Sequence, residues 1–369
     1  MSTHPPVTAT RDRPATRADR LTLQGHKLMY HPERVARWLR GDPTWPIYVD
    51  VCPTSLCNHH CSMCFYNHIA SRRASMPREM MLRLPHELAE VGVLSLVYAG
   101  DGEPLVHPDT PGAVAEARRA GIDVGLSTNG ALLTDASIEG LARDLTWVRF
   151  SINGSDPASY RRVHGCGPDD FDRVLDSIGR MASARDACGS AVTIGVQFIV
   201  LPDNHDHIGD LVQRVRQAGG DYFVVKFCYV HPNSDQGAND TLSQRAKQYD
   251  RLAPILDLAD ETFNVTLRDP TVPCEDRDYT VCYGLDFIGY IHADARVHTC
   301  LSYHDDESLS LGSLHDKTFG QVWDGPKRWE VKRRLARLDK RTCQPACRHH
   351  EINKYLWALK HPGSHVNFI

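Results

Sequence analysis

Three cysteines at a three-then-two spacing, Cys57-Asn-His-His-Cys61-Ser-Met-Cys64, are the sharpest chemical feature of this 369-residue chain. Thiolates this close in one loop can converge on a single metal centre. Three ligands leave one position open. For zinc that marks a catalytic site, and for a [4Fe–4S] cluster it leaves one iron available to another molecule. With His59 or His60 as a fourth ligand, the same residues make a zinc knuckle. A second group, Cys282, Cys300, Cys343 and Cys347, offers four thiols in two pairs to zinc or to an iron–sulfur cluster, with Cys274 as an alternative to Cys282. Cys52 is expected in the core, because a strand interior cannot reach the loop tip. Cys166 and Cys188 are left unassigned. The chain starts with no apolar secretion signal, so its 12 cysteines are expected to be ligands or catalysts in a reducing cytoplasm rather than disulfides.

Polar residues recur where apolar runs end. Gly100-Asp101-Gly102-Glu103-Pro104 closes one run, Ser127 and Asn129 a second, Ser151 and Asn153 a third. Such residues bind ligands, and they also cap helices and form turns. Gln197 and Lys226 lie inside later runs. A lysine in the apolar stretch FVVKFCYV needs a partner or a use. Cys228 shares a strand face with Lys226 and is either a reactive thiol or an inert buried one.

The elements that position these residues alternate. Apolar runs at 47–51, 93–99, 122–126, 147–152, 192–200 and 222–229 read as strands. Helical patterns follow at 77–91, 113–120, 136–144, 169–184, 207–218 and 242–259. Six β-then-α units predict an α/β fold with a parallel sheet, a partial (β/α)6 TIM-like barrel whose chemistry sits where strands hand over to helices. Residues 1–20 read as a flexible leader, 21–261 as the barrel, and 262–369 as a small α+β domain rich in Cys and His. Within the last, short strands are expected at 264–268, 287–292 and 297–299, and helices at 329–338 and 351–359.

CxxxCxxC followed by Phe65, in a loop after the first strand, resembles the signature of the radical S-adenosylmethionine (radical SAM) superfamily. The resemblance implies that Cys57, Cys61 and Cys64 hold a [4Fe–4S] cluster whose open iron binds SAM. It implies that Gly100, Gly102 and Glu103, in a GxGEP variant of the family's GGEP, contact the SAM amino group. Ser127, Asn129, Ser151, Asn153 and Gln197 are the further cofactor-binding candidates. The stretch LGSLHDKTFGQVWDG resembles SPASM and Twitch domains, which implies an auxiliary [4Fe–4S] cluster on Cys282, Cys300, Cys343 and Cys347. A glycine usual in that pattern is Ala295 here.

The resemblance implies hydrogen abstraction from a small sugar-like substrate. A sugar, aminoglycoside or nucleoside intermediate of antibiotic biosynthesis would be oxidised or decarboxylated, with the auxiliary cluster relaying an electron. Epimerisation through Cys228, with Lys226 nearby, and modification of a ribosomal peptide are the alternatives. The first twenty residues are too short and polar to form a peptide-recognition domain, which disfavours the peptide. An external reductant such as flavodoxin or ferredoxin is expected. A non-catalytic zinc protein on nucleic acid is the reading from another class; a formal net charge of −4 and no basic run near either cysteine group argue against it. No apolar run is long enough to span a membrane.

Overall fold

The computed structural model describes residues 27–64, 66, 73–228, 242–268, 277–303, 306–340, 343 and 347–368. The expected leader lies outside them, as does Cys274. After helix α1 (Pro32–Arg40) the chain alternates: β1 (Tyr48–Val51), α2 (Arg78–Glu90), β2 (Ser95–Tyr98), α3 (Thr110–Arg119), β3 (Asp123–Thr128), α4 (Asp135–Asp144) and β4 (Trp147–Ser151). Two helices follow, α5 (Pro157–His164) and α6 (Asp170–Ala187), then β5 (Thr193–Val200), α7 (Ile208–Gln217), β6 (Tyr222–Phe227) and α8 (Leu242–Leu252). The remainder holds β7 (Asn264–Leu267), β8 (Ile288–Ile291), β9 (Arg296–His298), β10 (Gly312–Ser313), α9 (Phe319–Trp323), α10 (Pro326–Ala336) and α11 (His350–Lys360).

Among the described residues all ten strands join one sheet, in the order β10-β9-β8-β1-β2-β3-β4-β5-β6-β7. From β8 to β7 every pairing is parallel. The six repeated units therefore form the partial barrel expected. Two strands read as part of a separate appendix sit elsewhere: β7 pairs with β6, and β8 pairs with β1. Both are four-residue strands that satisfy backbone groups otherwise left open at the barrel's edges. Helix α5, in a segment the sequence reading leaves unassigned, starts on Pro157 behind an Asp156/Ser159 capping box and stops at Gly165, where φ is 56°.

Strand alternation divides the barrel into two faces. Val49, Leu126, Phe150, Val196, Phe198 and Phe223 pack outward against helix residues such as Leu84, Val114, Leu141, Ile178 and Leu211 in one core. The inward face is a lumen. Its lower part is filled by Trp147 over Gly125 and by Tyr222 over Gly195, where an added Cβ would sit 2.3 Å and 2.1 Å from the ring atoms. Bulk on one strand thus requires its absence on the neighbour.

The C-terminal part is tied to the barrel by a buried charge. Asp286 accepts from Trp38 Nε1 at 3.0 Å, Arg328 Nη2 at 2.7 Å and Lys332 Nζ at 2.8 Å. We expect Asp286→Ala to cost about 3–5 kcal/mol in chemical denaturation, because it strands the buried Arg328. A change below about 1 kcal/mol, as for a surface ion pair, would contradict that role.

Ala295, in the β8–β9 turn, is the non-glycine residue with positive φ among the described residues, at 64°. A left-handed Ala costs about 1–2 kcal/mol, and its buried methyl returns about 0.8 kcal/mol. Ala295→Gly is expected to raise the melting temperature slightly; a lowered one would show that the methyl outweighs the backbone strain.

Candidate functional site

The cysteine loop leaves β1 without regular structure and is held by backbone bonds. Ser55 N donates to Ala74 O, Glu103 N to Leu56 O at 3.0 Å, His60 N to His164 O at 2.9 Å and Ser62 N to Val163 O at 2.8 Å. Asn129 Nδ2 donates to Asn58 Oδ1 at 2.8 Å. The ends of β2, β3 and α5 therefore clamp the loop from three sides. Gly165 permits the last of these, since a Cβ there would lie 2.6 Å from His60 O.

Cys57, Cys61 and Cys64 line one cavity of about 410 Å³, with Gly100, Gly102 and Arg73. Burial raises the pKa of Cys57 and Cys61, and the neighbouring thiols raise it further. Three thiolates gathered here need a cation to be stable, which fits a metal centre. Sets of three ligand atoms within 4.8 Å of one another do occur among the described residues, but none takes more than one cysteine of this group. Cys61 forms such a set with His59 and His164, whereas the three cysteines together do not. His59, the fourth-ligand candidate, lies within 4.8 Å of Cys61 and His164 by its ligand atom. It lines the cavity, but its ring has other partners, with Nε2 3.3 Å from Asp170 Oδ2 and Nδ1 3.3 Å from His164 Nδ1.

His164 went unnoticed in the sequence. Asn153 N donates to its Nε2 at 2.9 Å, so the ring proton sits on Nδ1, which lies 3.6 Å from Cys61 Sγ. Burial pushes its pKa down to about 3, so the ring stays neutral. That N–H has two acceptors in reach, His59 Nδ1 at 3.3 Å and the Cys61 sulfur; on the sulfur it would adjust the potential of a cluster held there.

The GDGEP turn is shaped by contact. Gly100 has φ +116°, and a Cβ there would meet Cys52 Sγ at 1.9 Å; at Gly102 it would meet Leu56 O at 2.2 Å. Glu103 points into protein instead of the cavity. Its carboxylate accepts from Thr128 Oγ1 at 2.6 Å, Asn129 N at 2.7 Å and Leu105 N at 3.1 Å. Burial raises its pKa against these three donors. Asn153 is likewise engaged, its Oδ1 accepting from Ile199 N at 2.8 Å. In this structure both position strand ends. Asp101, beside the cavity, faces His292 Nδ1 at 3.2 Å. That contact joins β2 to the C-terminal hairpin.

Deeper in the lumen, Ser127 Oγ accepts from Arg149 Nη2 at 3.3 Å, and Gln197 Oε1 accepts from Lys226 Nζ at 2.5 Å. Ser151 sits opposite Gln197 in the register, and Cys228 is partly exposed just past β6.

The C-terminal cysteines also gather. Burial and mutual repulsion raise the pKa of Cys282 to about 12, and raise Cys300 and Cys347; Cys343 contributes to each. Cys282 Sγ accepts from Asn353 Nδ2 at 3.2 Å. Four sulfurs that repel one another again fit a cationic cluster.

Cys57→Ala, Cys61→Ala and Cys64→Ala are each expected to lower the iron content of anaerobically reconstituted protein by about four atoms per chain, and Cys282→Ala by a similar amount from the other group. Colourless protein with about one zinc per cysteine group would contradict both assignments.

Comparison with known proteins agrees with this geometry. Residues 51–215 match the radical SAM superfamily, and residues 282–349 match SPASM, an iron–sulfur cluster-binding domain. A tungsten-containing aldehyde ferredoxin oxidoreductase cofactor-modifying protein of Pyrococcus furiosus is 27% identical over 75% of this chain and 80% of its own length. A PqqA peptide cyclase of Streptomyces rochei is 29% identical over 46% of this chain and 44% of its own. The fold resembles that of Streptococcus suis SuiB bound to its precursor peptide SuiA, with a TM-score of 0.64 and 16% identity over 83% of this chain and 71% of that one. The chain belongs to the radical SAM superfamily, with S-adenosylmethionine and [4Fe–4S] clusters as its cofactors and a SPASM domain at its C-terminal end.

Proposed function

We propose that this chain is a peptide-modifying radical SAM enzyme. SAM bound at the Cys57/Cys61/Cys64 centre supplies, on one-electron reduction by flavodoxin or ferredoxin, a 5′-deoxyadenosyl radical that takes a hydrogen atom from a substrate carbon. Gly100 and Gly102 let the backbone approach SAM, while Ser127, Asn129, Ser151 and Gln197 line its surroundings. Glu103 and Asn153 hold the strand ends that carry these groups.

The observation that carries the reading is the placement of the β8–β9 hairpin. It pairs with β1 and brings His292, Asp294 and Arg296 into the wall of the cavity over the cysteine triad. The SPASM domain thus abuts the site where a substrate radical would form. The substrate would give a hydrogen atom to the 5′-deoxyadenosyl radical, forming 5′-deoxyadenosine, and then lose an electron to a cluster held by Cys282, Cys300, Cys343 and Cys347 and a proton to a base, a net two-electron oxidation.

Curated relatives named PqqA peptide cyclase support a peptide as the substrate. The sugar, aminoglycoside or nucleoside expected from the sequence draws less support from the relatives, and the peptide alternative replaces it. The hydrogen-donor role of Cys228 is not needed for an oxidation.

The test is to incubate reduced protein with SAM and a library of perdeuterated peptides. Deuterium in 5′-deoxyadenosine and an oxidised peptide are expected, both unchanged by Cys228→Ala. Deuterium transfer from labelled sugars but from no peptide would overturn the substrate class.

A further inference from the structure

The barrel lumen holds cations that the proposed reaction does not use. Arg149 and Lys226 occupy inward positions of β4 and β6, and Arg348 enters from the segment before α11. Arg348 is matched by Asp50, whose Oδ2 lies 2.5 Å from Nη1. Arg149 and Lys226 pair with no carboxylate among the described residues. The Arg149 guanidinium lies 5.4 Å from the Trp147 ring centroid. One Nη reaches Ser127, and its Nε is buried with no hydrogen-bond partner. Lys226 has the neutral Gln197 amide.

Both side chains are part-buried on the inward face of the sheet. Trp147 and Tyr222 occupy inward positions of the same two strands. The charges that act on Lys226 come from Arg149, Arg268 and Arg348, all positive, and with burial they hold its pKa well below the usual lysine range. Cations sharing a low-dielectric space repel each other unless an anion joins them. A guanidinium and an ammonium on one face with no carboxylate between them are donors suited to a carboxylate.

We propose that Arg149 and Lys226 form a carboxylate subsite in the barrel lumen, so that the substrate peptide presents an acidic side chain beneath the radical centre. The identity of the ligand rests on the peptide reading; the subsite itself does not. The SAM methionine carries the same chemical group, and the experiment separates the two sources.

The probes are N-acetyl-glutamate N-methylamide and its glutamine counterpart, titrated by NMR into the reconstituted full chain saturated with SAM. The glutamate probe is expected to bind about tenfold tighter than the glutamine probe, and the difference is expected to vanish in Arg149→Gln and in Lys226→Gln while SAM affinity is unchanged. Arg149→Lys keeps the charge and is expected to keep part of the preference. Equal binding of the two probes to the wild-type chain, or binding of neither, would overturn the subsite without recourse to any variant. A tenfold loss of SAM affinity in the Gln variants, with the glutamate preference intact, would assign these cations to the cofactor and overturn it as well. Retained preference without any peptide turnover would leave the subsite standing and count against the peptide reading alone.

Discussion

Everything in this site depends on holding three cysteine sulfurs apart in a loop with no secondary structure of its own. Buried thiols do not choose to be thiolates, and neighbouring thiolates repel. The fold resolves this by clamping the loop's backbone to three strand or helix ends, so that the sulfurs are set by hydrogen bonds elsewhere. Glu103 shows the logic. A carboxylate that could face a ligand instead gathers Thr128, Asn129 and Leu105, and Asn129 in turn reaches Asn58 in the loop. The cysteine loop is thus positioned in part by a buried acid whose carboxylate is spent on the neighbouring strand end.

The same economy joins the two parts of the chain. The SPASM hairpin is hydrogen-bonded to β1 as a further parallel strand, and the turn beyond it lines the cavity. Asp286 and its three donors fix the neighbouring segment to α1 and α10. An auxiliary redox centre is useful only at a fixed distance from the radical, and a shared sheet is a stiff way to fix one.

The repeated barrel was legible because its strands are apolar runs and its polar residues fall at their ends. The cysteine triad was legible because its ligands are close in sequence. What escaped was set by distant contacts. β7 and β8 are too short to announce which sheet they join. Helix α5 begins Asn-Gly-Ser-Asp-Pro, a run that reads as turn, although Asp156, Pro157 and Ser159 together make a helix start. His164 meets Cys61 across 103 positions, and no local pattern signals it. Arg149 sits in WVRFS like any strand residue, and its unmatched Nε appears only once Ser127 and Trp147 are placed around it. Glu103 and Asn153 also hold backbone and neighbouring side chains, a positioning role that a motif cannot show.

The central claim is that the Cys57/Cys61/Cys64 centre keeps one iron open to SAM. Electron paramagnetic resonance of the dithionite-reduced protein, recorded before and after SAM is added, tests it most directly. A shift of one cluster's signal on SAM addition is expected, present in Cys282→Ala and absent in Cys61→Ala. A spectrum indifferent to SAM in the wild-type chain would contradict the account.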